Sequence, residues 1–536
     1  MMAVLKLPRP AGGGLTWTLR RLTVGPGQSR RSGMAAKGTV RAPGDRRRQR
    51  DRAARAAASP GWPPAMGRLP RDDVPMKVPH GWRAHEGARP TRRARSAWLR
   101  MPAFRRLYHR KLYTKALEQL GSNQAPVRFS GLYALERLAQ DKPAHRQAVV
   151  NVICAYLRMP FSPTAPAHKR EPTASEGQEG PGTQSGPGTD GISGEWQQER
   201  EVRLAAQRIL AEHLRDDRDD IAKHMQPTDP PSARFWANIR LDLTGATLID
   251  FNLANGVMAG ANFRGATFSR DTSFSGATFT SAARFGRAIF LGAARFGGAT
   301  FSRDAQFSEA TFSRAARFRG ATFTSTARFG RATFSRDAQF AGAIFIGDAW
   351  FAGAVFGGNA GFRRAGFGGN AGFRRAGFGG DAWFDKAAFT GDAWFGKAAF
   401  TGDAWFGKVT FAGDAWFAGA TFSRDVWFGG AAFSRGASFG EATFSRDVWF
   451  DKATFSRGAS FDEAAFTGDA GFDKATITGG AWFGEATFSD GADALHFNQA
   501  RILSPGASHV WPRGWRLAGA DGGRYTVVRA KDDGGS

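Results

Sequence analysis

Large apolar residues recur between residues 243 and 488 at a nearly constant spacing of five or six positions. The first six are five residues apart, and after Phe268 the step alternates between six and five. A small residue stands two positions before most of them, as Ala266 does before Phe268. An amphipathic helix needs apolar residues about every 3.6 positions and a half-buried strand needs them at every second, so neither element fits. The spacing instead predicts a repeat architecture.

Each small-x-large unit fits a very short strand whose first and third side chains point the same way. The remaining two or three residues must then turn the chain. If four units close one coil, the inward residues stack from coil to coil and form a continuous core. The 46 central positions from Leu243 to Phe488 predict about 11–12 coils, which at roughly 4.8 Å per coil would form a rod about 55 Å long.

The first units, LDLTGATLIDFNLANGVMAGANF, resemble those of pentapeptide-repeat proteins, in which a small residue precedes a central Leu or Phe. The resemblance covers roughly half of the chain and implies a mainly β fold, a right-handed four-sided β-helix. In later units every second repeat carries an extra residue, as in ATFSR followed by DAQFSE. Asp, Asn and Gly are common at this inserted corner (Asp304, Asp337, Asn359) and tolerate left-handed backbone, so we expect a small bulge there.

The chain outside the repeats divides by composition. Residues 1–97 are rich in Arg, Pro and Gly, which predicts a disordered leader. This leader is interpreted either as a nucleic-acid-binding tail or as an over-extended gene start. Residues 98–160 and 195–225 show helical periodicity around a predicted disordered linker at 161–194, so we expect a small helical module before the β-helix at 236–504. Residues 505–536 are predicted to form a C-terminal cap and tail.

The stretch LYTKALEQLGSNQAPVRFSGLYALERLAQD in the helical module also resembles the N-terminal part of an actinobacterial pentapeptide-repeat subfamily. Members of that subfamily often carry membrane-spanning helices upstream, so membrane association stays open. The sequence otherwise predicts a cytoplasmic protein. Its single cysteine fits a reducing compartment, and it contains no apolar run of 18 residues.

The net charge of +27 is concentrated in the leader, where residues 1–100 hold 23 Lys+Arg against 5 Asp+Glu. Residues 241–500 hold 25 against 23, so the rod is close to neutral on average. Some pentapeptide-repeat proteins mimic DNA and bind topoisomerase, which requires a strongly acidic rod. DNA mimicry is therefore the less favoured function, and nucleic-acid binding is expected only through the basic leader, if at all.

Tryptophan marks the candidate site. Eight of the 16 Trp residues stand directly before a central Phe on six-residue units and should point outward. With 22 residues per coil, four of them should stack on one face and four on the opposite face. The first set is Trp383, Trp405, Trp427 and Trp449, and the second is Trp350, Trp394, Trp416 and Trp482. An exposed aromatic ladder suggests a partner-binding face, and the alternative is self-stacking that only stiffens the coils.

The sequence shows no recognisable catalytic set. None of the nine His lies between Leu243 and Phe488, which disfavours a β-helical acyltransferase with a histidine base. His109, His145 and Cys154 are too scattered to suggest a metal site or a nucleophile. We therefore expect no catalytic residue, no metal, no cofactor and no small-molecule substrate. The favoured function is a non-enzymatic scaffold that binds an unknown protein partner, with a homo-oligomer as an alternative.

Overall fold

A computed structural model describes residues 102–162, 188–216, 234–489, 494–520 and 524–530. Helices form the first two of these ranges, and a β-solenoid of about twelve turns occupies residues 240–502. The predicted leader at 1–97, most of the predicted linker at 161–194 and residues 217–233 lie outside the described residues. Within the described part, no helix combines the length and apolar character needed to cross a membrane.

Four α-helices and one 3₁₀ turn precede the solenoid. They are α1 Pro102–Leu120, α2 Ala125–Asp141, the 3₁₀ turn Pro143–His145, α3 Arg146–Leu157 and α4 Gly188–Leu214. Helix α4 begins within the stretch predicted as a linker. Helices α1 and α2 approach closely at Gly131, where a Cβ atom would lie 2.8 Å from the carbonyl oxygen of Ala116. Their apolar faces share one core with α3 and α4.

Four parallel sheets form the sides of the solenoid, which we number in the order the chain visits them. The strands of face 1 are Thr247–Leu248, Thr267–Phe268, Ile289–Phe290, Thr311–Phe312, Thr333–Phe334, Val355–Phe356, Gly377–Phe378, Ala399–Phe400, Thr421–Phe422, Thr443–Phe444, Ala465–Phe466 and Thr487–Phe488. The strands of face 2 are Thr272–Ser273, Ala294–Arg295, Ala316–Arg317, Ala338–Gln339, Ala360–Gly361, Ala382–Trp383, Ala404–Trp405, Val426–Trp427, Val448–Trp449, Ala470–Gly471 and Leu495–His496.

Faces 3 and 4 continue each coil in the same way. The strands of face 3 are Val257–Met258, Thr278–Phe279, Thr300–Phe301, Thr322–Phe323, Ile344–Phe345, Gly366–Phe367, Ala388–Phe389, Thr410–Phe411, Ala432–Phe433, Thr454–Phe455, Thr476–Ile477 and Arg501–Ile502. The strands of face 4 are Arg240–Asp242, Gly260–Asn262, Ala283–Arg284, Ala305–Gln306, Ala327–Arg328, Ala349–Trp350, Ala371–Gly372, Ala393–Trp394, Ala415–Trp416, Gly436–Ser438, Gly458–Ser460 and Gly480–Trp482.

The phenylalanine rings fill the interior of the solenoid. Along one face, each ring stacks on the ring 22 residues later, as Phe307 does on Phe329 with centroids 4.8 Å apart and planes at 2°. Across the interior, Phe307 meets Phe318 edge to face at 5.4 Å and 88°. Both arrangements are favourable for aromatic pairs. Since each buried Phe contributes about 1.5–3 kcal/mol, this repeated packing is the main source of the fold's stability.

Left-handed backbone occurs at different corners from those expected. Residues with positive φ lie where a six-residue unit of face 2 or face 4 leads into the next five-residue unit, for example Gly342 (64°), Lys386 (57°) and Glu441 (57°). At the inserted corner, Asp337 and Asn359 do not have positive φ. Their side chains instead accept hydrogen bonds from the backbone of the next coil. The expectation of left-handed Asp and Asn at the inserted corner is therefore wrong.

Both ends of the solenoid are covered. At the first coil, the side-chain amide of Gln147 donates to the Arg240 carbonyl and accepts from the Arg240 N–H, each at 2.9 Å. At the last coil, the antiparallel strands Trp515–Ala520 and Arg524–Arg529 extend face 3 beyond Arg501–Ile502. These groups satisfy backbone atoms that would otherwise leave open sheet edges, which favour edge-to-edge association.

Candidate interaction face

Four tryptophans stack along face 2. Trp383, Trp405, Trp427 and Trp449 occupy the outward position of consecutive strands in parallel register. Their ring centroids are 5.8, 5.1 and 5.1 Å apart, with interplanar angles of 24°, 5° and 16°. We call this set the Trp ladder and face 2 the Trp face. The structure brings together all four candidate residues, whose role in partner binding stays a prediction.

Stacking covers much of the flat surfaces of the indoles and leaves each ring half-buried. The guanidinium of Arg363 covers the first ring, with its Cζ 4.9 Å from the Trp383 centroid. Arg363 Nε also donates to Asp385 Oδ2 at 3.1 Å, which fixes the side chain in this position. The ladder therefore presents ring edges rather than open ring faces, a geometry that suits packing against another surface.

The tryptophans of face 4 form a less regular set. Trp350 stacks on Trp394 at 5.5 Å across the intervening strand, where a Cβ atom at Gly372 would lie 2.5 Å from the Trp350 ring. Trp416 is 44% exposed, and Trp482 lies at the last strand of the face. Face 4 therefore has tryptophans of the same origin in the repeat but no stack of four, and it provides a matched control surface.

A step in the Trp face lies immediately before the ladder. Gly361 has no side chain, so a hollow of about 190 Å³ opens between Gln339 and Trp383. A neighbouring open depression of about 530 Å³ lies over Ala341 and Gly342, with Arg319 and Arg364 among the residues at its rim. The Trp face thus consists of a raised aromatic strip beside a recessed basic region.

The repeat segment was compared with known protein families. Residues 257–493 match a family described as "Pentapeptide repeats (9 copies)" through eight overlapping segments: 257–300, 296–344, 329–377, 362–410, 373–421, 406–454, 417–465 and 450–493. This stretch is a pentapeptide-repeat array. The resemblance to pentapeptide-repeat proteins is confirmed, while the actinobacterial subfamily stays a prediction. Comparison with curated proteins and with solved structures gave no match.

Charge is unevenly distributed along the pentapeptide-repeat array. Residues 257–380, which we call the basic half, hold 16 Lys+Arg against 5 Asp+Glu. Residues 381–489, the acidic half, hold 9 against 14. The near-neutral total found for residues 241–500 conceals this division, because the two halves cancel. The Trp ladder lies in the acidic half, and the recessed part of the Trp face lies in the basic half.

Carboxylates of the pentapeptide-repeat array bind backbone as well as solvent. At the corner before the Trp face, Oδ1 of Asp381 accepts from the N–H of Asp403 at 3.2 Å, and Oδ1 of Asn359 accepts from the N–H of Asp381 at 2.9 Å. Burial and the neighbouring Asp381 and Asp425 carboxylates raise the pKa of Asp403. This column therefore stabilises the inserted corners from coil to coil.

The described residues show no constellation for metal binding. Across the described ranges, no cluster of three or more His, Cys, Asp or Glu side chains could hold a metal ion. Cys154 lies buried in α3, and burial raises the pKa of its thiol to about 12. A thiol with such a pKa stays protonated at neutral pH and is a poor nucleophile.

Sequence reasoning missed several residues around the Trp ladder. Arg363 and Arg364 were interpreted as solvated edges, yet Arg363 contacts both Trp383 and Asp385. The signal for this contact was available, because Asp385 follows Arg363 by one 22-residue coil. The hollow at Gly361 was predictable in the same way, since Gly361 occupies the column of Trp383 and Trp405.

Proposed function

We propose that this protein is a non-enzymatic scaffold whose pentapeptide-repeat array binds a protein partner through the Trp face. The observation that carries the proposal is the Trp ladder, in which four half-buried indoles form one continuous apolar strip. Protein interfaces are enriched in Trp and Arg, and both residue types meet at Arg363 and Trp383. The rigid Phe core supports the strip, so binding requires little ordering of the backbone.

The decisive experiment compares two variants of the full chain as baits in a cell lysate. In the ladder variant, Trp383, Trp405, Trp427 and Trp449 are all replaced by Thr. In the control variant, Trp350, Trp394, Trp416 and Trp482 on face 4 are replaced by Thr. Thr already occupies outward strand positions of the array, as at Thr311 and Thr333, so both variants should fold. Matched circular dichroism and thermal melting would establish that they do.

A partner recovered by the parent and the control variant, but not by the ladder variant, would support the proposal. Equal recovery by all three proteins would contradict it and assign the ladder a stiffening role. If the control variant alone lost the partner, the binding side would be face 4 rather than the Trp face.

The predicted nucleic-acid-binding role of residues 1–97 is kept as a second candidate because that segment is strongly basic. Phosphate binding by a basic tail should weaken steeply as salt rises. Binding of duplex DNA by the full chain, measured over a salt series and compared with a chain lacking residues 1–97, tests this role. Salt-independent binding, or binding that survives the deletion, would exclude it.

A further inference from the structure

The Trp face and the corner that follows it carry opposite charges in the two halves of the array. In the basic half, Arg317 lies on the face and Arg319 lies at the corner. In the acidic half, Asp451 occupies the corner column of Arg319 six coils later. This column is defined by backbone hydrogen bonds between successive coils, such as Gly298 N–H to Arg319 O and Gly430 N–H to Asp451 O.

We propose that the Trp face binds the Trp face of a second copy of this chain, with the two solenoids side by side and antiparallel. The proposal rests on the proposed function and names its partner. In a two-fold symmetric pair, residue i contacts residue j and residue j contacts residue i. An antiparallel arrangement therefore sets the basic half of each copy against the acidic half of the other, twice per dimer. A parallel arrangement would oppose like charges.

The relief of the face specifies one register. The Trp face has eleven strands, and Trp383 lies on the sixth of them. If the two-fold axis passes at Trp383, Gly361 lies opposite Trp405 of the second copy, since they are one coil before and one coil after it. The hollow of about 190 Å³ at Gly361 then receives the edge of an indole.

The same register pairs charges and rings farther from the axis. Arg317 and Trp449 lie three coils before and three coils after Trp383, so the guanidinium of one copy faces the last ladder ring of the other. Cation–π contact with tryptophan is favourable at such a site. Arg319 and Asp451 occupy the same two levels at the corner and would form an ion pair. Each of these contacts occurs twice in the dimer.

These groups are available for such contacts. Among the described residues, Arg287, Arg295 and Arg328 form ion pairs within the chain, whereas no carboxylate pairs with Arg317 or Arg319. Both arginines are exposed. Asp451 is half-buried, and its Oδ1 accepts only the N–H of Asp473, at 3.2 Å. An opposing array would therefore supply partners that the single chain does not.

The face is long enough for a stable interface. Its eleven strands span ten coil steps, or about 48 Å at roughly 4.8 Å per step. A standard protein interface buries about 800 Å² per partner, which a strip of this length reaches at a width of about 17 Å. That width corresponds to one side of the solenoid with its two corner columns.

Sedimentation velocity of the purified full chain tests the proposal, with two charge reversals, Arg319→Asp and Asp451→Arg. The parent should be dimeric at low salt and dissociate as salt rises. Each variant alone should dimerise more weakly by about tenfold or more, because it opposes like charges at two places. An equimolar mixture of the two variants should recover dimers, since both contacts then pair Asp with Arg. Arg374→Asp, on the corner after face 4, should leave dimerisation unchanged.

Recovery in the mixture also shows that neither variant is misfolded. A parent that stays monomeric at every concentration and salt condition would overturn the proposal, as would a mixture no more dimeric than its components. If the purified chain is monomeric while the lysate experiment still shows Trp-dependent capture, the second copy is excluded and the proposed scaffold function stands with a different partner.

Discussion

The side chain of Gln207 pairs with the backbone of Ile249 like a neighbouring strand. Its Nε2 donates to the Ile249 carbonyl at 2.7 Å, and its Oε1 accepts from the Ile249 N–H at 3.0 Å. Gln207 is 5% exposed and lies on α4, whereas Ile249 follows the first strand of face 1. Together with Gln147 at Arg240, it gives the first coil hydrogen-bond partners that no preceding coil can supply.

Replacing Gln207 by Ala should therefore loosen the first coil more than the rest of the array. Loss of the amide leaves a buried N–H and carbonyl unsatisfied, which costs about 1–3 kcal/mol for each group. Hydrogen exchange should show a large loss of protection at the Ile249 amide and little change at Phe384. Gln147→Ala, at an exposed pair, should produce a smaller effect at Arg240. Equal protection of Ile249 in parent and Gln207→Ala would show that the pairing adds nothing.

Glycines of the array differ in the space around them, which predicts opposite effects of two Gly→Ala changes. At Gly391, a Cβ atom would lie 2.6 Å from the Gly369 carbonyl oxygen of the adjacent coil. Gly391→Ala should lower the free energy of unfolding by about 1–3 kcal/mol through this clash. At Gly377, on face 1, nothing lies within 4 Å of an added Cβ, and its φ is not positive.

Gly377→Ala should accordingly leave the free energy of unfolding unchanged or raise it by about 0.4–1 kcal/mol, because it restricts the unfolded chain. Thermal melting followed by circular dichroism would compare both variants with the parent. Similar melting temperatures for the two variants would contradict the close approach of coils at Gly391.

The only cysteine of the chain offers a test of the helical module. Burial raises the pKa of the Cys154 thiol from an ordinary value of 9.0 to about 12. Near pH 8 the native thiol should react with a disulfide reagent far more slowly than the thiol of the urea-unfolded chain, since only the thiolate attacks. Rates that match in the native and unfolded proteins would mean that Cys154 is accessible.

The same shift makes stability depend on pH in one direction. Between pH 9 and about 12, the unfolded chain loses the thiol proton while the folded chain retains it. Ionisation therefore favours the unfolded state, and the contribution of Cys154 to stability declines as pH rises through this window. Burial raises the pKa of Tyr156 as well, so its titration acts in the same direction.

Much of the fold was predictable because the period is local information. The positions of Phe307 and Phe329, 22 residues apart, required only counting, and the same count aligned Trp383 with Trp405. The contacts of Gln207 with Ile249 were not predictable from the period, because they join segments 42 residues apart across a predicted domain boundary. Such contacts depend on how α4 packs against the first coil.

The inserted corner shows where residue preference is insufficient. Asn359 and Asp381 favour turns, but their side chains here hold the backbone of the next coil. Positive φ falls instead on residues such as Lys386 and Glu441, which have no special preference for it. The closure of the coil fixes the backbone at these corners, and the long side chains accept it because they extend into solvent.

The 22-residue register also makes the direction of every outward side chain a matter of phase. Removing one full coil would shorten the solenoid and leave each remaining residue on its own face. Removing a single eleven-residue pair would rotate everything downstream by half a turn, so that Trp427 and Trp449 would leave the Trp face for the side of Trp394. Which surface such a rod presents is thus encoded in the parity of its repeats, independently of the core that holds it together.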